Sequence, residues 1–120
     1  MICLAATTLL LSACHQEEDD LFTTAVLTLE AGNGITVERV QGTVTLTNLN
    51  TRQIITAADF SGNVAQVQVL RGAYTVLVEG SAQCRDASGT TTVRKFRCSA
   101  DYLALEKTNT NTAILNMIWL

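Results

Sequence analysis

The chain has 120 residues, enough for one domain with a modest hydrophobic core and too few for two. Its net charge of −3 traces to the run Glu17-Glu18-Asp19-Asp20; from Leu21 onward seven acids face eight bases, so no broad positive field points to a nucleic-acid partner. The single histidine, His15, lies beside that run, which removes Ser/His/Asp and Cys/His constellations from everything downstream.

An apolar stretch from Ile2 to Leu11 leads into Leu11-Ser12-Ala13-Cys14, small residues ending on a cysteine. This layout resembles a bacterial lipoprotein signal and divides the chain into a leader (1–13), a lipidated cysteine with an acidic tether (14–21) and a domain (22–120). The resemblance implies that the Cys14 thiol receives a diacylglyceryl group and that the new amino terminus is acylated. Each buried methylene contributes about 0.8 kcal/mol, so one chain holds reversibly and firm anchoring takes more than one. Met1 to Ala13 carries no charge where such signals carry Lys or Arg, and a start codon upstream would supply it. A short core helix or a membrane span is the other reading, but crossing about 30 Å of hydrocarbon takes roughly 20 apolar residues.

The acidic run has two readings. Like charges keep a segment extended and solvated, which suits a plain tether. The run also resembles the acidic tract that follows the lipidated cysteine in surface-exported lipoproteins of some Gram-negative phyla. That reading is preferred, and it places the protein at the outer membrane, facing outward. Calcium binding by the four carboxylates would need a turn glycine and a fixed loop, and the run has neither.

From Leu21 onward the apolar period is two, so an all-β domain is expected. Ala25, Leu27 and Leu29 alternate with Val26, Thr28 and Glu30 before the Gly32-Asn33-Gly34 turn. Val44 and Leu46 alternate with threonines up to Asn48-Leu49-Asn50, where asparagine tolerates the left-handed region, and a short arm follows through Ile54 and Thr56. Ala65, Val67 and Val69 face away from Gln66 and Gln68 in the cleanest half-buried strand of the chain. Arg71-Gly72 turns the chain into Tyr74, Val76 and Val78, and Asp86-Ala87-Ser88-Gly89 reverses it again. An arm over about Thr91–Ala100 and a last apolar strand, Ala113–Leu120, complete the set; the latter places Leu115, Met117 and Trp119 on one face and Ile114, Asn116 and Ile118 on the other. About seven short strands with turns every 8–12 residues predict an antiparallel two-sheet sandwich.

Three runs carry a family resemblance: Gly42-Thr43-Val44-Thr45-Leu46-Thr47-Asn48-Leu49-Asn50-Thr51, Asp59-Phe60-Ser61-Gly62-Asn63-Val64 and Leu70-Arg71-Gly72-Ala73-Tyr74-Thr75-Val76-Leu77-Val78-Glu79-Gly80. Together they resemble the carboxypeptidase regulatory-like, or transthyretin-like, β-sandwich across residues 22–120. Gly62 and Gly72 are expected at positive φ, and Tyr74 is expected in the core. Between Asn33 and Gln41 the chain departs from the pattern with a lengthened link. The resemblance implies a non-catalytic accessory or adhesion-type module.

The side-chain inventory agrees with that implication. Cys84 and Cys98 alone cannot complete a tetrahedral zinc shell, and no glycine-rich phosphate loop leads from a strand into a helix, so neither a cofactor nor a nucleotide is expected. Asp59, Asp86 and Asp101 are available as a carboxylate pair for glycoside hydrolysis, but their placement in turns and at strand ends favours backbone capping. Cys84 and Cys98 remain after the leader and anchor are set aside. A tight turn at Asp86–Gly89 sets Cys84 opposite Thr91 and keeps the thiols apart, whereas a wider loop centred near Thr91 would join them in a disulfide.

Arg85, Arg94, Lys95 and Arg97 gather around Phe96 as the one local basic cluster, either a surface for anionic glycans or headgroups or a charged edge that blocks aggregation. Trp119 and Tyr102 are candidates for a sugar-stacking platform, with core packing the alternative for Trp119. The function expected is an envelope lipoprotein held at the membrane by its lipid, with a binding or structural sandwich that meets envelope proteins or glycans. The alternative is a glycan-binding accessory of a nutrient-uptake system, and a small hydrolase or enzyme-regulatory subunit comes third.

Overall fold

Among the described residues, alternation of apolar and polar side chains is realised as nine strands: β1 (Phe22–Glu30), β2 (Thr36–Asn48), β3 (Ile54–Ala57), β4 (Phe60–Ser61), β5 (Val64–Leu70), β6 (Gly72–Arg85), β7 (Thr91–Leu105), β8 (Thr110–Asn116) and β9 (Ile118–Trp119). The computed structural model describes residues 21–32 and 34–120, so the readings placed on the leader, Cys14 and the acidic run lie outside the described residues. A four-stranded sheet in the order β4-β5-β1-β8 packs on a five-stranded sheet in the order β3-β2-β6-β7-β9. The fold is the expected two-sheet β-sandwich.

The core is the space between the sheets. Ala25, Leu27, Leu29, Ala65, Val67 and Val69 from one side meet Val44, Leu46, Tyr74, Val76, Val78 and Phe96 from the other. Each fully buried Val, Leu or Phe contributes about 1.5–3 kcal/mol by leaving water. The outward positions between them are polar or half-exposed, which fixes the strand register, because a one-residue slip would turn every core side chain outward.

Four features of the strand layout differ from the sequence expectation. The strand count rises from seven to nine through the two-residue strands β4 and β9. The link between Asn33 and Gln41 is strand from Thr36, the first half of a 13-residue β2 that pairs with β6 and absorbs Glu38 in a bulge between Val37 and Arg39. Not every neighbour is antiparallel: β1 and β8 run parallel, from Thr24↔Thr110 to Glu30↔Asn116. The Ala113–Leu120 run also breaks at Met117, whose N–H donates to the Glu30 carbonyl (2.8 Å), and the chain then crosses to the other sheet to set Trp119 opposite Phe96.

Side-chain hydrogen bonds close the turns. Asn48 works through its Oδ1, which accepts from the N–H of Asn50 (2.9 Å) and Thr51 (3.0 Å), while the left-handed residue of that turn is Arg52 at φ 65°. Gly72 is not at positive φ, against expectation; it starts β6 in the ladder and lies under the Asn48 side chain, whose Nδ2 would sit 3.3 Å from an added Cβ. Tyr74, buried as expected, donates its hydroxyl to the Leu70 carbonyl at 2.6 Å, tying the β5–β6 corner to the core.

The strand lengths give the molecule two unlike ends. Phe22, Leu70, Gly72, Asn48, Leu105 and Thr110 share one end, where β1 begins. Strands β2, β6 and β7 are 13–15 residues long against 7–9 for β1, β5 and β8, so the β6–β7 hairpin outruns the smaller sheet at the opposite, far end. The basic cluster is at that far end.

Candidate functional site

The far-end tip is shaped by Asp86. Its Oδ1 accepts from the Ser88 hydroxyl (2.6 Å), the Ser88 N–H (3.0 Å) and the Thr90 N–H (2.9 Å). The Ser88 hydroxyl, the Thr90 and Ser88 amides and the nearby Gly89 amide hold the Asp86 carboxyl below its usual pKa, since each favours the charged form. Asp86 is thus a turn cap. The turn is tight but one residue longer than Asp86–Gly89, since it includes Thr90, so Arg85 and not Cys84 stands opposite Thr91, and Cys84 stands opposite Thr92.

This tight turn decides the fate of the four basic residues and the two thiols. Successive residues of β7 face opposite sides of the sheet. Arg94 lies on the same face as Phe96 and stacks over Trp119, its Cζ 4.9 Å from the ring centroid, while Phe96 meets the Trp119 ring edge-on at 6.5 Å. Lys95 and Arg97 face the other way. Arg97 pairs with Glu79 directly across the ladder (3.5 Å), and Arg85 with Glu38 in the β2 bulge (3.0 Å). The predicted cluster of Arg85, Arg94, Lys95 and Arg97 is therefore divided: one cation braces Trp119, Arg97 sits in an exposed ion pair worth about 0–1 kcal/mol, Arg85 holds the partly buried Glu38, and Lys95 lies beside the C-terminal strand, its carbonyl accepting from the Leu120 N–H (3.0 Å).

Cys98 stands opposite Val78, six residues along β6 from Cys84. At about 3.3 Å per residue that is roughly 20 Å, far beyond disulfide reach. Both thiols are free and buried. The wide loop that a bridge requires is absent because Asp86 closes a tight one. Burial pushes the Cys98 thiol up to about 11 and raises that of Cys84 as well, with Arg94 partly offsetting the latter.

The aromatic pair is also separated. Tyr102 is exposed where β7 bulges opposite Thr75, whereas Trp119 is half-buried against Phe96, six residues earlier in β7. They do not share a platform. Asp59, Asp86 and Asp101 lie on different elements, and among the described residues no three His, Cys, Asp or Glu side chains gather as a metal set. An open cleft of about 470 Å³ at the far end has a floor of Leu29, Ile35 and Val37, and its Asn63 amide is already engaged by the Leu29 carbonyl at 2.9 Å.

A residue set that sequence reasoning missed is at the near end. Asn111 Nδ2 donates to Thr23 Oγ1 (2.8 Å) and to the Lys107 carbonyl (3.0 Å), its Oδ1 accepts from the Lys107 N–H (3.3 Å), and Thr23 Oγ1 reaches the Asn109 carbonyl (3.3 Å). Both side chains are buried. The signal available was the polar residue at an inward position of each strand, Thr23 before Ala25 and Asn111 before Ala113. No family model matches this chain, and no curated protein matches it.

Proposed function

We propose that this protein is a lipoprotein of the bacterial envelope, anchored through Cys14, whose sandwich is a non-catalytic binding or structural module. The observation that carries this reading is the Leu11-Ser12-Ala13-Cys14 box behind an apolar run and ahead of four acids. The acidic run supports an outer-membrane location with the domain facing outward. The transthyretin-like pattern around Tyr74 supports an accessory or adhesion-type role.

The placement of β1 suits an anchored domain. β1 begins eight residues after Cys14 and lies inside its sheet, between β5 and β8, so a pull from the tether acts on a strand bonded along both edges. The Thr23–Asn111 network reinforces its first turn of ladder at the loaded end. A glycan-binding role draws no support from Tyr102 and Trp119, which lie apart.

Metabolic labelling with a fatty acid, in the native strain and in Cys14→Ala, followed by protease shaving of intact cells, tests anchor and orientation together. The expected result is label on the native protein alone and loss of the domain on shaving. Unlabelled protein released free in both strains would overturn the anchor, and protease resistance on intact cells would overturn the outward orientation.

A further inference from the structure

Edge strands expose unpaired backbone groups, and proteins guard them by shortness, bulges or charge. In this sandwich β3, β4 and β9 are four, two and two residues long. The uncovered part of β2 carries Glu38, Arg39 and a bulge, and that of β7 carries Asp101 and a bulge. Among the described residues two edges lack these guards: the five residues of β5 beyond β4, Gln66 to Leu70, and the longer edge of β8. The β8 edge runs seven residues, and the chain has no charged residue and no proline from Thr108 to Leu120.

The direction of its backbone groups follows from two bonds. Thr24 N–H donates to the Asn109 carbonyl (3.2 Å) and Met117 N–H to the Glu30 carbonyl (2.8 Å). With the parallel register these bonds turn Asn111, Ala113 and Leu115 toward β1, and leave the N–H and C=O of Thr110, Thr112, Ile114 and Asn116 pointing out of the sheet. Ile114 is itself 64% exposed.

We infer that this edge pairs antiparallel with β8 of a second copy of this chain. A two-fold axis at Ala113 sets Thr112 opposite the second copy's Ile114 and Thr110 opposite its Asn116. All four residues present outward N–H and C=O groups, the pattern of hydrogen-bonded antiparallel pairs. Thr112 against Ile114 is a β-branched pair, which stabilises such ladders. The absence of charge means that identical edges meet without repulsion, and the two-fold closes the assembly as a dimer with one continuous eight-stranded sheet. The inference rests on strand geometry and is independent of the lipid anchor.

Sedimentation equilibrium of the full chain in density-matched detergent tests it, with Ile114→Pro and Ile114→Lys beside the native chain. Proline at 114 deletes an outward donor and leaves the bonds to β1 in place; lysine puts like charges near the axis. The native chain is expected at the mass of two copies with an unfolding midpoint that rises with protein concentration, and both variants at the mass of one, folded, with a midpoint that does not depend on concentration. If the proline variant does not fold, the lysine variant decides. A native chain that stays at one copy up to about 100 μM, a folded variant that keeps the two-copy mass, or an open series of larger species would each overturn the inference.

Discussion

Gly42 stands directly opposite Gly80 in the β2–β6 ladder, and neither position has room for a methyl group. A Cβ on Gly42 would lie 2.5 Å from the Glu79 carbonyl oxygen, and one on Gly80 would run into the Gln41 carbonyl. The row continues across the sheet to Phe96, opposite Gly80, and Trp119, opposite Phe96. Phe96 is fully buried in this row, and Arg94 stacks over Trp119 at its end. The row joins the sandwich proper to the overhanging hairpin.

Gly80→Ala should therefore cost about 3 kcal/mol, the upper end of the range for overpacking, because backbone and not a flexible side chain must give way. Gly62→Ala serves as the comparison: its φ of 59° is unfavourable for alanine, but nothing lies within 4 Å, so the cost should be about 1–2 kcal/mol. Urea midpoints of the two variants check the order.

Removing the Asn111 amide should cost about 1–3 kcal/mol, since Asn111→Ala takes away the buried donor to the Thr23 hydroxyl and two part-buried bonds to the Lys107 backbone. The loss should appear first as faster hydrogen exchange at Thr24, whose N–H bonds to Asn109 in the same turn.

The buried thiols predict an alkaline limb of stability. The folded protein holds the Cys98 proton up to about 11, against 9.0 for a free thiol, so stability is intact below pH 9.0 and falls as pH rises from there through 11. Cys98→Ala should flatten that limb in thermal melts. In native protein at pH 8 neither Cys84 nor Cys98 should react with iodoacetamide, and both should react after unfolding.

At the hairpin tip the sign is reversed. The lowered Asp86 pKa means that the charged carboxylate is favoured in the folded tip, so its contribution is present above the usual 3.8 and fades as pH falls through the lower folded value. Asp86→Asn should remove that acid dependence, read as hydrogen exchange of the Ser88 and Thr90 amides against pH.

The strands with strict alternation were legible in the sequence: Ala65 to Val69, Tyr74 to Val78, and the buried side of Leu115 and Met117 are where period two places them. What escaped was non-local. Nothing in Thr110–Asn116 announces a parallel partner at the other end of the chain, and the Met117 crossing leaves the alternation unbroken because Trp119 still faces inward from the second sheet. Alternation alone gives β2 too short a span because the Glu38 bulge shifts the pattern between Val37 and Val40. Nearness along the chain groups the four basic residues, whereas strand parity already separates Arg94 from Lys95 and Arg97.

The anchor itself is tested most directly by intact-mass spectrometry of the native protein extracted from membranes. The account predicts a chain that begins at Cys14 and carries the added mass of its acyl groups. A polypeptide that begins at Met1, or one that begins at Cys14 with an unmodified thiol, would contradict it.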